Sequence, residues 1–95
     1  FLKRQGDNIV SFLDITFAQA ALGAKVTVHT VAGDVVMKIP AGTQSGEVFR
    51  VRGKGVPRLG QFGRGDHLVT VRLQVPKKLS REERELIEKL DTLAQ

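Results

Sequence analysis

Residues 39–66 read IPAGTQSGEVFRVRGKGVPRLGQFGRGD, and short apolar segments alternate in this stretch with turn signals. Pro40 ends one predicted strand, because proline has no N–H to give to a strand ladder. Gly42 and Gly46 bracket a predicted tight turn with positive-φ positions. A new strand is predicted over residues 47–52. The stretch shapes the backbone and contains no nucleophile with a base beside it, so it favours a β-rich fold over a catalytic loop.

The same alternation of apolar and polar residues continues on both sides of this stretch. It predicts further strands at 8–17, 25–31, 35–39 and 67–75. Residues 17–22 are rich in alanine and predict a single helical turn, with Gly23 as its C-cap. Residues 1–7 are interpreted as a lead-in.

Two connections differ in length. Ala32-Gly33-Asp34 indicates a hairpin turn. Residues 53–65 predict a long loop, in which Val56, Leu59 and Phe62 are the only apolar anchors.

A helix is predicted to begin at Ser80. Ser80 and Glu83 form a capping box, in which each side chain accepts the other residue's backbone N–H. The helix carries an apolar stripe, which consists of Leu86, Ile87, Leu90 and Leu93. The stripe either packs on its own domain or binds a second subunit, and the pattern alone leaves both open.

Many short strands punctuated by glycine predict a mainly β fold. We expect a small two-sheet β-sandwich or half-barrel with one short inner helix and one C-terminal helix. Ninety-five residues suggest one domain. We divide it into a β-domain over 1–79 and a C-terminal helix, a candidate dimerisation element, over 80–95.

Charge is distributed unevenly along the chain. The formal net charge of +5 divides into +7 over residues 1–79 and −2 over residues 80–95. A basic body is either an ordinary solvated surface or a nucleic-acid site. The cations of such a site would be Arg50, Arg52, Lys54, Arg58 and Arg64. With only five phenylalanines and no Tyr or Trp, platforms for base stacking are few, and nucleic acid is the less favoured partner.

Other bulk features restrict the function classes. There is no cysteine, so the chain forms no disulfide and no thiolate metal site, which fits a reducing cytosol. The apolar runs are too short to span a bilayer, and we expect no membrane partner. The first residue is Phe1 rather than Met, which suggests a piece of a longer protein.

Catalysis has little support in the sequence. His29 and His67 both lie in predicted strands and are interpreted as structural or surface residues. The carboxylates are scattered, and we expect no catalytic, metal or cofactor-binding residue. Gly53-Lys54-Gly55 and Gly63-Arg64-Gly65 could hold a phosphate, but no helix follows either, so turns are favoured. Arg64-Gly65-Asp66 is interpreted as a chance match to an adhesion tripeptide.

Several spaced motifs together resemble the C-terminal β-domain of DnaJ-type co-chaperones of the bacterial kind. They are Ile39–Gly46, Phe49–Gly55 and Gly65-Asp66, with Ile15-Thr16-Phe17, Ala20–Gly23, Val75-Pro76 and Leu79-Ser80 at the two ends. DnaJ-type proteins carry two such β-domains in tandem, and this chain resembles the second, with its terminal helix. The resemblance covers nearly the whole chain.

This resemblance implies a non-catalytic role. Such a domain contributes to binding unfolded polypeptide clients and to homodimerisation, in a cytoplasmic protein that delivers clients to a DnaK-type ATPase. Clients dock by strand addition in an apolar groove, whose lining here would be Ile9, Val26 and Val28, extended by Phe12 if its face is open. The dimerisation stripe would be Leu86, Ile87, Leu90 and Leu93. No cofactor is implied for this chain, and any zinc would belong to a separate Cys-rich region of the parent.

Overall fold

A computed structural model describes residues 2–60 and 62–94; Phe1, Gln61 and Gln95 lie outside the described residues. Within these ranges, six strands and two helices follow one another. They are β1 (Leu2–Gln5), β2 (Asn8–Thr16), α1 (Phe17–Leu22), β3 (Ala24–Thr30), β4 (Gly33–Ile39), β5 (Val48–Val51), β6 (His67–Gln74) and α2 (Arg81–Ala94).

The larger sheet has four strands in the order β1-β2-β6-β5. β1 and β5 are antiparallel to their neighbours, whereas β2 and β6 are parallel and run in register from Ile9 opposite His67 to Thr16 opposite Gln74. Parallel neighbours need a long crossover, and here the crossover consists of α1, the second sheet and β5.

The smaller sheet is the hairpin of β3 and β4. Because side chains alternate across a strand, the hairpin has one inner and one outer face. Val28 and Met37 on its inner face are buried, whereas Thr27 and Val36 on its outer face are exposed. The described strands therefore form two open sheets, not a closed barrel.

The core lies between the two sheets and α1. Its buried members are Ile15, Ala20, Val28, Met37, Ile39, Val69 and Val71. Val69 and Val71 come from β6, which has a neighbouring strand on each side, and are almost fully buried. The mainly β, two-sheet fold with one inner and one terminal helix is thus confirmed.

The short helix α1 is fixed at both ends. Thr16 and Gln19 form a capping box, with N···O distances of 3.0 Å in both directions. At the other end Gly23, with φ of 85°, donates its N–H to the Gln19 carbonyl. The Ala20 carbonyl accepts from the N–H groups of Gly42 (2.8 Å) and Thr43 (3.1 Å), so the 40–43 turn is hydrogen-bonded to the helix.

The interpretation of residues 1–7 as a lead-in is wrong for residues 2–5, which form β1 beside β2. All four residues of β1 are exposed, so no apolar alternation marks them as a strand. An edge strand is stabilised by its ladder to β2, which a pattern of side chains does not reveal.

Two glycines of the 53–66 stretch sit against the turn after β1. A Cβ on Gly55 would lie 2.5 Å from the Asp7 carbonyl oxygen, and one on Gly65 only 2.0 Å from it. Close backbone packing therefore requires glycine at both positions.

Candidate interaction surfaces

The four residues expected to line a groove do not share one surface. Ile9 and Val28 are buried, at 4% and 6% exposure, and Val26 is half-buried against the core. Phe12 is exposed on the opposite face of β2 from Ile9, and the guanidinium of Arg72 stacks over its ring at 4.5 Å from the centroid. In this conformation, Val26 and Val28 lie on the inner face of the hairpin, against the core, and Phe12 lies on an open sheet face.

A shallow depression of about 430 Å³ lies where α1 meets the open end of the hairpin. Its lining is Leu22, Gly23, Ala24, Lys25, Lys38, Ile39, Pro40 and Ala41. The Leu22 side chain, the last of α1, is 81% exposed at this depression. We call it the Leu22 hollow.

A second depression of about 260 Å³ lies beside β5. It is lined by Pro40, Ala41, Gly42, Thr43, Glu47, Val48 and Phe49. Pro40 and Ala41 line both depressions, so they form a ridge between them. The ridge is held in place by buried Thr43, whose hydroxyl donates to the Pro40 carbonyl at 2.6 Å.

Unpaired strand edges flank these depressions. Among the described strands, β3 and β4 each have one neighbour only, and β5 is an edge of the larger sheet. An unpaired edge presents backbone N–H and C=O groups that an extended peptide can join. The site therefore combines open edges with two small depressions, of which the Leu22 hollow is the more apolar.

Sequence reasoning missed the Leu22 hollow. Leu22 looks like the last apolar residue of a short helix, and Pro40 looks only like a strand terminator. The one available signal was the apolar Leu22, which stands directly before Gly23, the residue at which the helix ends.

The terminal helix α2 contributes no buried residue. Its capping box is present, with the Ser80 N–H 2.9 Å from Glu83 Oε1 and the Glu83 N–H 3.1 Å from Ser80 Oγ. These hydrogen bonds lower the pKa of Glu83. The four residues of the predicted stripe are all exposed: Leu86, Ile87, Leu90 and Leu93.

The cations considered for nucleic-acid binding differ in their surroundings. Asp66 accepts hydrogen bonds from the Gly53 N–H (2.9 Å) and from Arg50 (2.6 Å). The Gly53 bond and then the Arg50 bond lower the pKa of Asp66 below its usual range. Arg64 Nε donates to the Gly55 carbonyl at 2.9 Å. Arg50 and Arg64 thus also stabilise the fold of this stretch.

The expectation that Leu59 and Phe62 anchor the 53–65 loop is wrong. Both side chains are fully exposed, and only Val56 of the three is partly buried. The loop is anchored instead by backbone hydrogen bonds, among them Val56 N–H to the Asp7 carbonyl at 3.0 Å.

The two histidines lie apart in different sheets. His29 is exposed on β3, 2.8 Å from Asp34 Oδ1. His67 is fully buried in β6, with Nε2 2.7 Å from Ser11 Oγ, and its burial lowers its pKa. Within residues 2–60 and 62–94, no three His, Cys, Asp or Glu side chains come together as a metal site.

Comparisons with known proteins agree on one family. The family model described as the DnaJ C terminal domain matches residues 1–76. The chaperone protein DnaJ of Thermosynechococcus vestitus is 51% identical over 89 residues, which is 93% of this chain. That of Bacillus mycoides is 52% identical over 87 residues (92% of this chain), and that of Geobacillus thermodenitrificans is 48% identical over 93 residues (98%). The chain spans 24% of the length of each of these relatives. Neither described helix is long and apolar enough to cross a membrane.

Proposed function

Because this chain belongs to the DnaJ C-terminal domain family, we propose that it is a binding module that holds unfolded polypeptide chains and joins two copies of its protein through α2. The observation that carries the first part is the Leu22 hollow beside unpaired strand edges. An extended client would add a strand at an open edge, which uses the client's backbone and so accepts many sequences. An apolar side chain of the client would then enter the hollow.

This proposal places the four expected groove residues differently from the sequence analysis. Val26 and Val28 shape the hairpin from inside, and Ile9 supports β2 from the core face. Phe12, on the open face, is a separate accessible contact. The direct apolar contact to the client is instead Leu22, with the Pro40-Ala41 ridge beside it.

Binding of a labelled, extended apolar peptide tests the client surface. Replacing Leu22 with Asp puts a charge at the mouth of the hollow, and we expect affinity to fall about tenfold, the equivalent of losing burial of part of a leucine side chain. Val75→Asp is the matched control, because Val75 is 84% exposed, compared with 81% for Leu22, and lies outside the hollow. Equal peptide affinity of the two variants would refute the assignment to the hollow.

The dimer part of the proposal rests on the uncovered stripe of α2. An amphipathic helix whose apolar side chains are exposed on its own protomer is typical of a subunit contact. The sedimentation of residues 1–95, of a version ending at Leu79 and of Leu90→Asp should show a concentration-dependent dimer for the first only. Thr92→Asp adds the same charge away from the stripe and should leave the dimer intact. A monomer at every concentration for the full chain would refute this part alone.

The remaining parts concern the whole protein. We propose that it acts in the cytoplasm, delivers its clients to a DnaK-type ATPase and carries any zinc in a separate Cys-rich region. The relatives named chaperone protein DnaJ support these parts. We expect the domain itself to act by binding, with no catalytic turnover and no cofactor.

A further inference from the structure

The loop between β5 and β6 has a hydrogen-bonded stem. The Gly55 N–H donates to the Gly65 carbonyl (2.8 Å), and the Gly65 N–H donates to the Val56 carbonyl (2.9 Å). One step further out, the Arg58 N–H donates to the Gly63 carbonyl (3.1 Å). The Val56 N–H donates to the Asp7 carbonyl, so the base of the stem is bonded to the turn after β1, and the far end of the loop lies beyond the bond from Arg58 to Gly63.

Two large apolar side chains lie at that far end. Leu59 and Phe62 have the most exposed large apolar side chains among the described residues, and both are almost fully accessible to solvent. Leaving a leucine and a phenylalanine almost fully in water forgoes the free energy of burying them, and two such side chains on one loop are a candidate for an interaction site. Because backbone hydrogen bonds fix the stem of the loop, the exposure of both side chains is a feature of the folded chain.

The same stretch is strongly basic. Residues 50–65 contain five cations and no carboxylate: Arg50, Arg52, Lys54, Arg58 and Arg64. Asp66, the carboxylate that follows, forms an ion pair with Arg50, so residues 50–66 carry five cations and one carboxylate and keep a net charge of +4. The partner of this loop should therefore offer both an apolar interior and negative charge.

We propose that this loop docks on an anionic lipid bilayer, with Leu59 and Phe62 inserted at the headgroup boundary and the surrounding cations bound to the headgroups. A bilayer interface supplies apolar depth and surface charge together. A client segment accounts for the apolar tip but not for the cations, and a nucleic acid accounts for the cations but not for the tip. The expectation of no membrane partner rested on spanning segments, and a loop that lies in the interface needs none.

Vesicle co-sedimentation tests the proposal with the full 95-residue chain. We expect binding to phosphatidylcholine vesicles that contain phosphatidylserine, little binding to phosphatidylcholine alone, and release at high salt because the cations contribute. Leu59→Ser/Phe62→Ser should weaken partition about tenfold or more. Each of Arg52→Gln and Arg58→Gln should weaken it about fivefold. Val36→Ser/Val75→Ser, which also removes two exposed apolar side chains, is the matched control and should bind as the parent does.

A second measurement reports insertion directly. Because the chain has no cysteine, a single Phe62→Cys can carry an environment-sensitive fluorophore, with Val75→Cys as the control. We expect a blue shift on anionic vesicles at position 62 only.

Three results would overturn the proposal. They are no binding to anionic vesicles, binding that Leu59→Ser/Phe62→Ser leaves unchanged, and loss of peptide binding instead of vesicle binding in that double variant. The last result would make the tip a client contact. Leu22→Asp should lose peptide and keep vesicles, so the client proposal and the membrane proposal succeed or fail separately.

Discussion

The two described helices begin with the same type of capping box, but one packs against the core and the other is exposed to solvent. α1 has six residues, and Ala20 at its centre is buried while its carbonyl accepts two hydrogen bonds from the 40–43 turn. α2 has fourteen residues and buries none of them. Isolated helices shorter than about 12–15 residues are marginal in water. The six-residue helix therefore depends on its tertiary contacts. The fourteen-residue helix has no buried side chain, so it depends on its cap and its other local interactions, and its surface is available to a partner.

The largest expected effect comes from placing a charge in the buried site of α1. Ala20→Glu should lower the free energy of unfolding by about 3 kcal/mol or more, because a carboxylate would be desolvated without a partner and the site is already filled. Urea unfolding followed by circular dichroism measures it. The neighbouring Ala21 is exposed, so Ala21→Glu should change stability by less than about 0.5 kcal/mol. Similar losses for both variants would show that α1 is not held by Ala20.

A smaller effect is expected at the C-cap of α1. Gly23→Ala should cost about 2 kcal/mol, because alanine is strained at positive φ and its Cβ would lie 3.0 Å from the Ile39 carbonyl oxygen. Gly6→Ala is the control, since Gly6 also has positive φ but open space around it, and should cost about 1 kcal/mol. The difference between the two unfolding free energies measures the contact between α1 and the Ile39–Ala41 segment. Equal costs would mean that this contact contributes nothing.

Acid should affect the β-body and α2 over different pH ranges. The folded pKa of buried His67 is lowered from its ordinary 6.5, so the unfolded chain binds more protons below pH 6.5 and body stability falls as pH drops through that value. The folded pKa of Glu83 is lowered from 4.5, so the stability that its capping bonds give α2 is present above 4.5 and lost as pH falls below it. Urea midpoints measured against pH should lose the first slope in His67→Leu and keep it in His29→Gln. A slope that survives in His67→Leu would assign it to another group.

The smallest effect distinguishes the two caps. Thr16→Ala should lower the unfolding free energy of the body by about 1 kcal/mol, the ordinary cost of a lost N-cap. Ser80→Ala removes an equivalent cap, but it should reduce only the helical signal of α2 and leave the body's urea midpoint in place. Both measurements require protein concentrations low enough for the chain to be a monomer, so that a subunit contact of α2 does not contribute. A matching shift of the midpoint in Ser80→Ala would show that α2 is coupled to the body.

Alternation and punctuation made most elements predictable. Residues 25–39 read as a hairpin because Val26, Val28 and Ile39 alternate with polar residues around a glycine turn, and the structure forms β3 and β4 there. Ser80 and Glu83 marked the start of α2 through local chemistry alone. Features that depend on a few neighbouring residues were therefore accessible from the sequence.

Contacts between distant segments were not accessible in this way. Nothing in β2 indicates that β6 lies beside it in parallel, and nothing near Gly65 indicates that Asp7 packs against it. The groove hypothesis depends on the same kind of information, since alternation identifies the apolar face of Ile9 or Val28 but not whether the chain covers that face. For the same reason, Leu59 and Phe62 looked like anchors although they are exposed.

The position of β6 also has a consequence for folding during synthesis. β6 is one of the two central strands of the larger sheet and the last of the described strands, so β2 has no parallel partner from the synthesis of Thr16 until that of His67. At about 5–20 residues per second, ribosomes need about 3–10 s for that interval. Until then the β1–β2 and β3–β4 hairpins exist without a shared core, and isolated hairpins are marginally stable. A domain that we propose to hold unfolded chains is thus itself without a complete core for several seconds of its own synthesis.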